Sequence, residues 1–272
     1  MENSKQESKI QSVNIPLFKG VLGCYGMLLD NIKSFFLLGT VFSLILSLLY
    51  FITGQDILCN NNTYRAEHYC TNSGILYATI HIISFFILCV YARCWVQFVS
   101  EKKQFDWRLL LPQKTDIKLL GVIIIFMATL SFALMSGYLL IVRVPNPNWK
   151  IEISYFAIVS LGFMVPLLAL RFLSCLAFVA EDKKMPKFSV LWAKSSGNMF
   201  VLILGAIFLM FVAIFLLSNI TQNIIFGSNV DSYITAIGGE YIFNLVTTLV
   251  WALIMNYSII QKQVLFAGDS DE

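Results

Sequence analysis

Long stretches without charged residues alternate with short polar segments along this chain of 272 residues. Six stretches contain no Asp, Glu, Lys or Arg, and each has at least 18 residues: 34–55, 68–92, 119–142, 153–170, 195–230 and 241–261. About 20 mostly apolar residues suffice to cross a bilayer as an α-helix. Because lipid offers the backbone no hydrogen-bond partner, such segments must be helical. The pattern predicts an all-α integral membrane protein with six transmembrane helices.

Amphipathic segments precede the first, third and fifth predicted spans. The first has apolar residues at helical spacing, namely Leu17, Phe18, Val21, Leu22, Tyr25, Leu28, Leu29 and Ile32. The second contains Phe105, Trp107, Leu109, Leu110 and Leu111, and the third contains Phe188, Leu191 and Trp192, each set among basic residues. Such segments are typical of helices in the membrane interface. Each unit of interfacial helix and two spans would then be one of three parallel repeats.

The basic residues are distributed unevenly between the predicted inner and outer segments. With the N-terminus inside, 16 of the 19 Lys and Arg residues lie on the inner side, and only Arg65, Arg143 and Lys150 lie outside. Cytoplasmic loops of membrane proteins carry such an excess, so both termini are expected in the cytoplasm. The predicted organisation is a disordered tail over 1–15, a single transmembrane domain over 16–266 and an acidic tail over 267–272.

Composition and motifs argue against an enzyme. Only 13% of the residues are charged and mean hydropathy is +0.75, which excludes an ordinary soluble domain, where about a quarter are charged. The sequence has no GxSxG, HExxH, GxGxxG or Walker-type glycine loop, and two histidines provide little general-base capacity. Glu181 and Asp182 stand beside Lys183 and Lys184, which predicts a solvated charge cluster. No enzymatic activity and no cofactor are expected.

The cysteines divide by predicted position. Cys59 and Cys70 flank a polar stretch in the first outer loop, which predicts a disulfide on an oxidising face. The other four are predicted to be small buried thiols, namely Cys24, Cys89, Cys94 and Cys175. A metal site is not expected, because zinc ligands at CxxC spacing are lacking.

Four residues near the predicted inner interface are candidates for contact with lipid or substrate: Arg171, Trp107, Trp192 and Lys187. Arg171 lies 18 residues beyond Ile153, a helical distance of about 27 Å that reaches the interface. Its guanidinium either snorkels to lipid phosphates or binds a substrate. Basic residues along the inner surface favour membrane lipids, including anionic ones, and not nucleic acid as partners. A membrane-protein partner or a homo-oligomer is also compatible.

Polar and small residues within the apolar runs predict how the helices pack. The polar ones are expected to form hydrogen bonds between helices, and they are His81, Ser131, Ser136, Asn244, Thr247, Thr248 and Asn256. Candidates for close helix approach are Gly121, Gly137, Gly162 and Gly205.

The segment VPLLALRFLSCLAFVAEDKKMPKFSVLWAKSSGNMFVLILG, over 165–205, resembles the bacterial six-span inner-membrane proteins of the YciC type. It is also similar to the membrane region that precedes the catalytic domain of some glycerophosphodiester phosphodiesterases. The likeness rests on an Arg late in the fourth span, a turn with Pro and acid, and a Ser-rich opening of the fifth span. These features correspond here to Arg171, Glu181, Pro186, Trp192, Ser195, Ser196, Gly197 and Asn198. The opening NIPLFKGVLGCYGMLLDNIKSFFLLG is more loosely similar to the family's interfacial helix.

The resemblance implies a multi-pass protein of the bacterial inner membrane. The soluble phosphodiesterase domain is not in this sequence, so no hydrolase activity is carried over. Two hypotheses stay open: a non-enzymatic protein that supports envelope integrity or anchors a partner at the membrane, and a small-solute or lipid transporter. A polar cavity leading to Arg171 would favour transport, whereas a solid apolar bundle would favour the first hypothesis.

Overall fold

The computed structural model describes residues 17–53, 74–102, 106–125, 128, 173–195 and 233–267. Every regular element in these ranges is a helix, which confirms the all-α prediction for this part of the chain. In chain order the elements are α1 Leu17–Asp30, α2 Ile32–Thr53, α3 Gly74–Glu101, the 3-10 helix η1 Trp107–Leu110, α4 over 114–125, α5 over 173–180, α6 Phe188–Ser195 and α7 Tyr233–Leu265.

Three of these helices are long and apolar enough to cross a membrane, judged by length and composition. Their apolar segments are Ile32–Tyr50 in α2, Thr79–Ser100 in α3 and Gly238–Leu265 in α7. They correspond to the first, second and sixth charge-free runs. The other three runs, the tail over 1–15 and residues 268–272 lie wholly or largely outside the described residues. Six spans therefore stay a prediction, whereas a membrane protein with three apolar helices agrees with the structure.

Two of the helices continue through charged residues at which the charge-free runs stop. α3 extends past Arg93 to Glu101, although the run ends at residue 92, and α7 contains Glu240 and Lys262. Arg93 is fully buried and Glu240 is only 7% exposed. Charged residues therefore do not end these two helices, and the charge-free runs do not give the helix ends.

Aromatic side chains hold α2 against α3. Phe35, Leu38, Phe42 and Leu46 recur at helical spacing on α2, and all four are buried. The ring of Phe35 meets that of Trp95 edge-on at 6.1 Å between centroids. Nearer the other end of the pair, Tyr50 and His81 pack edge-on at 6.3 Å. Contacts that advance along α2 while receding along α3 show that the two helices are antiparallel.

α7 packs lengthwise against α1 and α2, and glycine permits a close approach to each. A Cβ added at Gly39 of α2 would lie 3.3 Å from Thr248 Oγ1, and one at Gly23 of α1 would lie 2.9 Å from Ile260 Cδ1. A Cβ added at Gly121 would meet no atom of the described residues within 4 Å, so its role in close approach stays a prediction. Glycine allows such contacts because no side chain separates the helices.

The helices predicted ahead of the spans differ in extent. α1 precedes α2 as expected, and α6 occupies the segment ahead of the fifth run. In the segment ahead of the third run, the described residues from Asp106 onward form the single turn η1, which corrects the prediction of an amphipathic helix for this part. The Asp106 side chain caps this turn by accepting from Arg108 N, and Leu111 is extended. Leu111 precedes Pro112, and a residue before proline disfavours the α conformation.

Candidate functional site

Polar and charged groups concentrate at one end of the bundle, which we call the charged end. It comprises the last turns of α3 and α7, η1, the start of α4, the turn over 181–187, and α6. Three ion pairs connect these segments: Arg93–Asp116, Lys118–Asp182 and Lys262–Glu181. Chain segments far apart in sequence therefore converge here.

The Arg93 guanidinium is the centre of the buried part of this cluster. Its Nε donates to Asp116 Oδ1 at 2.6 Å, and both side chains are 0% exposed. Its Nη2 donates to two backbone carbonyls, Leu109 O at 2.8 Å and Leu111 O at 3.0 Å. A planar guanidinium has donors that diverge at fixed angles. Arg93 thereby joins α3 to η1 and to α4 at once.

Asp116 is held in place by hydrogen bonds in the first turn of α4. It is the third residue of α4, and its Oδ2 accepts from Gln113 N at 2.7 Å. Asp116 N donates in return to Gln113 O at 3.0 Å. An acid at this position caps the first turn and interacts favourably with the positive end of the helix dipole. One carboxylate oxygen caps α4 while the other neutralises Arg93.

Three polar atoms line one face of α3, from Arg93 of the ion pair toward the end of the helix. Arg93 Nη1, Gln97 Oε1 and Ser100 Oγ are buried and have no hydrogen-bond partner among the described residues. Residues at spacing i, i+4 and i+7 lie on the same side of a helix. Most buried polar atoms in proteins are hydrogen-bonded, so this polar stripe is the part of the charged end best suited to hold a polar ligand.

A second polar contact joins three helices through Asn256 of α7. Trp95 Nε1 of α3 donates to Asn256 Oδ1 at 2.8 Å, and Asn256 Nδ2 donates to Cys24 O of α1 at 2.9 Å. Both ends of the amide are therefore used, in a side chain that is 0% exposed. Burial also raises the pKa of the Cys24 thiol to about 12, so this cysteine is neutral at physiological pH.

The hydrogen bonds predicted between helices are present at two of the described positions. Asn256 forms the bridge above, and Asn244 Nδ2 donates to Ser47 Oγ of α2 at 3.0 Å. The hydroxyls of Thr247 and Thr248 instead donate to carbonyls of their own helix. A threonine hydroxyl reaches the preceding turn easily, so a polar residue in an apolar helix need not contact a neighbour.

Side chains of α7 also bind the backbone of α5. Ser258 Oγ accepts from Ala177 N at 2.9 Å and donates to Leu173 O. One turn further along α7, Gln261 Oε1 accepts from Ser174 N at 2.9 Å. These bonds fix the position of α5 along α7 and so place the turn that follows α5.

Glu181 begins that turn and accepts hydrogen bonds from two lysines, Lys262 and Lys183. Its side chain is only 2% exposed. Burial by itself raises the pKa of Glu181, but the hydrogen bonds and charges of Lys183 and Lys262 together outweigh it, so the pKa lies below its ordinary value. Asp182 is 64% exposed and pairs with Lys118 at 2.7 Å. The predicted solvated cluster is therefore correct for Asp182 and wrong for Glu181.

The structure places three of the four candidate contact residues on the surface. Trp107 is 66% exposed, Trp192 is 42% exposed and Lys187 is exposed. Arg171 lies outside the described residues, as do Cys59 and Cys70 with their predicted disulfide. The remaining four cysteines are free and buried, which confirms their prediction as buried thiols.

The described residues contain no group of three or more His, Cys, Asp or Glu side chains that could hold a metal ion. The sequence interpretation missed the Arg93–Asp116 pair, because Arg93 counted only as one of the basic residues on the inner side. The available signal was Asp116, an acid three residues after Gln113 at the start of a helix, where a capping carboxylate is common.

Comparison of the chain with protein-family models, curated proteins and solved structures gives no match in any of the three. Function is therefore inferred from the geometry of the charged end and of the bundle behind it.

Proposed function

We propose that this chain is a non-enzymatic multi-pass membrane protein of the bacterial inner membrane that supports envelope integrity or anchors a partner protein. The observation that carries this proposal is the Asn256 bridge, which locks α1, α3 and α7 together through a single side chain. The core around it is filled by large buried side chains, including Trp95, Tyr91 and Met255. A helix bundle fixed in this way is suited to a structural role.

A small-solute or lipid transporter is the alternative, and the polar stripe of α3 favours it. Arg93 Nη1, Gln97 Oε1 and Ser100 Oγ are polar groups within a helix that packs mainly against apolar neighbours. Ionisable groups within membrane helices often mark a pathway for a substrate. The neutralising contact with Asp116 is the argument against it, because that contact already gives Arg93 a structural use.

The two functions predict different outcomes for two sets of variants. The gene is deleted in the source strain, and entry of a normally excluded dye is measured after complementation. Asn256→Leu removes the bridge and leaves the polar stripe intact. The double variant Gln97→Leu, Ser100→Ala removes two groups of the stripe and leaves the bridge intact. Equal amounts of membrane-inserted protein are verified for each strain.

The structural role predicts that Asn256→Leu fails to restore the dye barrier, whereas the stripe variant restores it. The reverse result, together with solute or lipid flux into vesicles containing the purified protein, would establish the transporter instead. A deletion strain with an unchanged dye barrier would contradict the envelope function.

A further inference from the structure

The helix α6 has exposed aromatic rings beside buried side chains. Leu191 and Ser195 are buried, at 1% and 0% exposure. Phe188 and Trp192 are 62% and 42% exposed, and their rings stack at 6.1 Å between centroids with an interplanar angle of 18°. Both pairs have spacing i, i+4, so each forms a stripe along one side of the helix. Phe188 and Leu191 are three residues apart, so the two stripes lie side by side, and the aromatic stripe is the exposed one.

Contacts with α7 fix the level of α6 relative to the apolar helices. The apolar segment of α7 ends at Leu265, and the ammonium group of Lys194 lies 4.4 Å from the centroid of the next ring, Phe266. The turn that leads into α6 is attached to the same end of α7, because Glu181 accepts from Lys262. If α7 spans a bilayer, α6 therefore lies where the hydrocarbon gives way to lipid headgroups.

The charges beside the aromatic stripe are positive. Lys184 and Lys187 precede Phe188, and both are exposed. The nearby acids are already paired, Asp182 with Lys118 and Glu181 with Lys262. Aromatic rings are enriched at the headgroup level of membranes, and lysine side chains there extend to phosphate groups.

We propose that α6 and the turn before it form a binding surface for anionic phospholipid, in which Phe188 and Trp192 insert among the headgroups and Lys184 and Lys187 bind their phosphates. This inference rests on the membrane location of the bundle and not on its role in the envelope. It goes beyond that role because it assigns a lipid class to a particular helix.

The test uses the full-length protein reconstituted in phosphatidylcholine vesicles with brominated lipid, which quenches nearby tryptophan. The emission of Trp192 is obtained by subtracting the fluorescence of the Trp192→Phe variant from that of the wild type. A basic residue at an anionic surface contributes about 1 kcal/mol, or roughly fivefold in affinity. Two lysines should therefore lower the mole fraction of brominated phosphatidylglycerol needed for half-maximal quenching by up to about 25-fold relative to brominated phosphatidylcholine.

The variant Lys184→Gln, Lys187→Gln should lose this preference while Trp192 remains quenched by both lipids. The matched control is Lys33→Gln, Lys114→Gln, which removes the same charge from exposed positions on α2 and α4 and should retain the preference. Raising the salt from about 0.05 to about 0.5 M should weaken the preference of the wild type without any substitution.

Three results would overturn the proposal. Equal quenching of the wild type by the two lipids would show that no anionic selectivity exists. An equal loss in the control variant would show a diffuse surface potential and not a site. The third result is that neither lipid quenches Trp192, while a photocrosslinking amino acid placed at Ser189 reacts with another protein in native membranes. That result would assign the surface to a protein partner. None of these results bears on complementation of the dye barrier, so the proposed function is tested separately.

Discussion

The charged end contains two ion pairs of nearly the same length in opposite surroundings. Arg93 and Asp116 are 2.6 Å apart with both side chains 0% exposed, whereas Lys118 and Asp182 are 2.7 Å apart at 62% and 64% exposure. Distance alone would rank them as equals. Burial changes how strongly stability depends on each pair. A buried ion loses its water and must be compensated by its partner, whereas an exposed ion remains hydrated.

The buried pair also makes more additional hydrogen bonds than the exposed pair. Arg93 also donates to the Leu109 and Leu111 carbonyls, and Asp116 also accepts from Gln113 N. The buried pair therefore organises three chain segments, and removing one partner leaves several groups uncompensated. The exposed pair connects the start of α4 to the turn after α5 by a single bond. We expect the structure to depend strongly on the first pair and weakly on the second.

The largest predicted effect is that of Asp116→Leu. It leaves the Arg93 charge buried without its partner and also removes the cap of α4, which should lower the free energy of unfolding by about 3–5 kcal/mol. Unfolding of the purified protein in mixed micelles, followed by circular dichroism, measures the loss.

The control is the double variant Arg93→Met, Asp116→Leu. It removes both charges and should recover at least half of the loss, since an apolar pair carries no desolvation penalty. A single variant as stable as the wild type would contradict the burial of the pair.

A smaller effect is expected from Asn256→Leu, which tests a buried polar contact without a formal charge. The indole N–H of Trp95 and the carbonyl of Cys24 both lose their partner. Their loss should cost about 1–2 kcal/mol, because hydrogen bonds between membrane helices are individually modest.

The matched control is Thr247→Val on the same helix, since the Thr247 hydroxyl donates only to Phe243 O of its own helix. It should be nearly silent in the same unfolding assay. Equal losses in the two variants would show that the bridge contributes nothing beyond local packing.

Local features of the fold could be predicted from the sequence, whereas contacts between distant residues, such as the buried ion pair, could not. The apolar helices α2, α3 and α7 were predicted, because a run of about 20 apolar residues has few alternatives to a helix that crosses a membrane. The continuation of α3 past Arg93 was not predicted, because the sequence shows the charge of Arg93 but not the acid that neutralises it. That acid, Asp116, is 23 residues away and meets Arg93 only in the folded chain.

Of the candidate site, the sequence indicated only residues that lie on the surface. Trp107, Trp192 and Lys187 were selected for their position near predicted membrane boundaries; the structure shows them exposed, and their contact with lipid or substrate stays a prediction. The bridge from Asn256 to Trp95 joins residues 161 positions apart, so no local pattern could indicate it. The sequence also contained a signal that was not used, because Pro112 disfavours the α conformation at Leu111 and so ends the turn η1 ahead of the third charge-free run.

Glu181 is intermediate between the two pairs, because it is buried but contacts two lysines at the edge of the bundle. Its pKa is lowered in the folded protein, so its stabilising contribution is fully present above the ordinary pKa of 4.5 and is lost as the pH falls through the folded value. Unfolding midpoints measured between about pH 7 and about pH 3 should therefore decrease at the acid end.

The variant Glu181→Gln has no carboxyl group to titrate at this position. Its stability should be lower than that of the wild type near neutral pH, and the difference should shrink as the pH falls below 4.5. A difference that stays constant over the whole range would contradict the ion pairs assigned to Glu181.

The smallest effect is predicted for the exposed pair. Lys118→Gln and Asp182→Asn each break the contact but leave the remaining group in water, so each should change the free energy of unfolding by less than about 1 kcal/mol. The double variant should match the sum of the two single variants within about 0.5 kcal/mol, because a screened pair has little coupling energy. The change should also shrink in high salt, unlike that of Asp116→Leu, whose partner is shielded from ions. A coupling between Lys118 and Asp182 as large as that between Arg93 and Asp116 would mean that burial does not distinguish the two pairs.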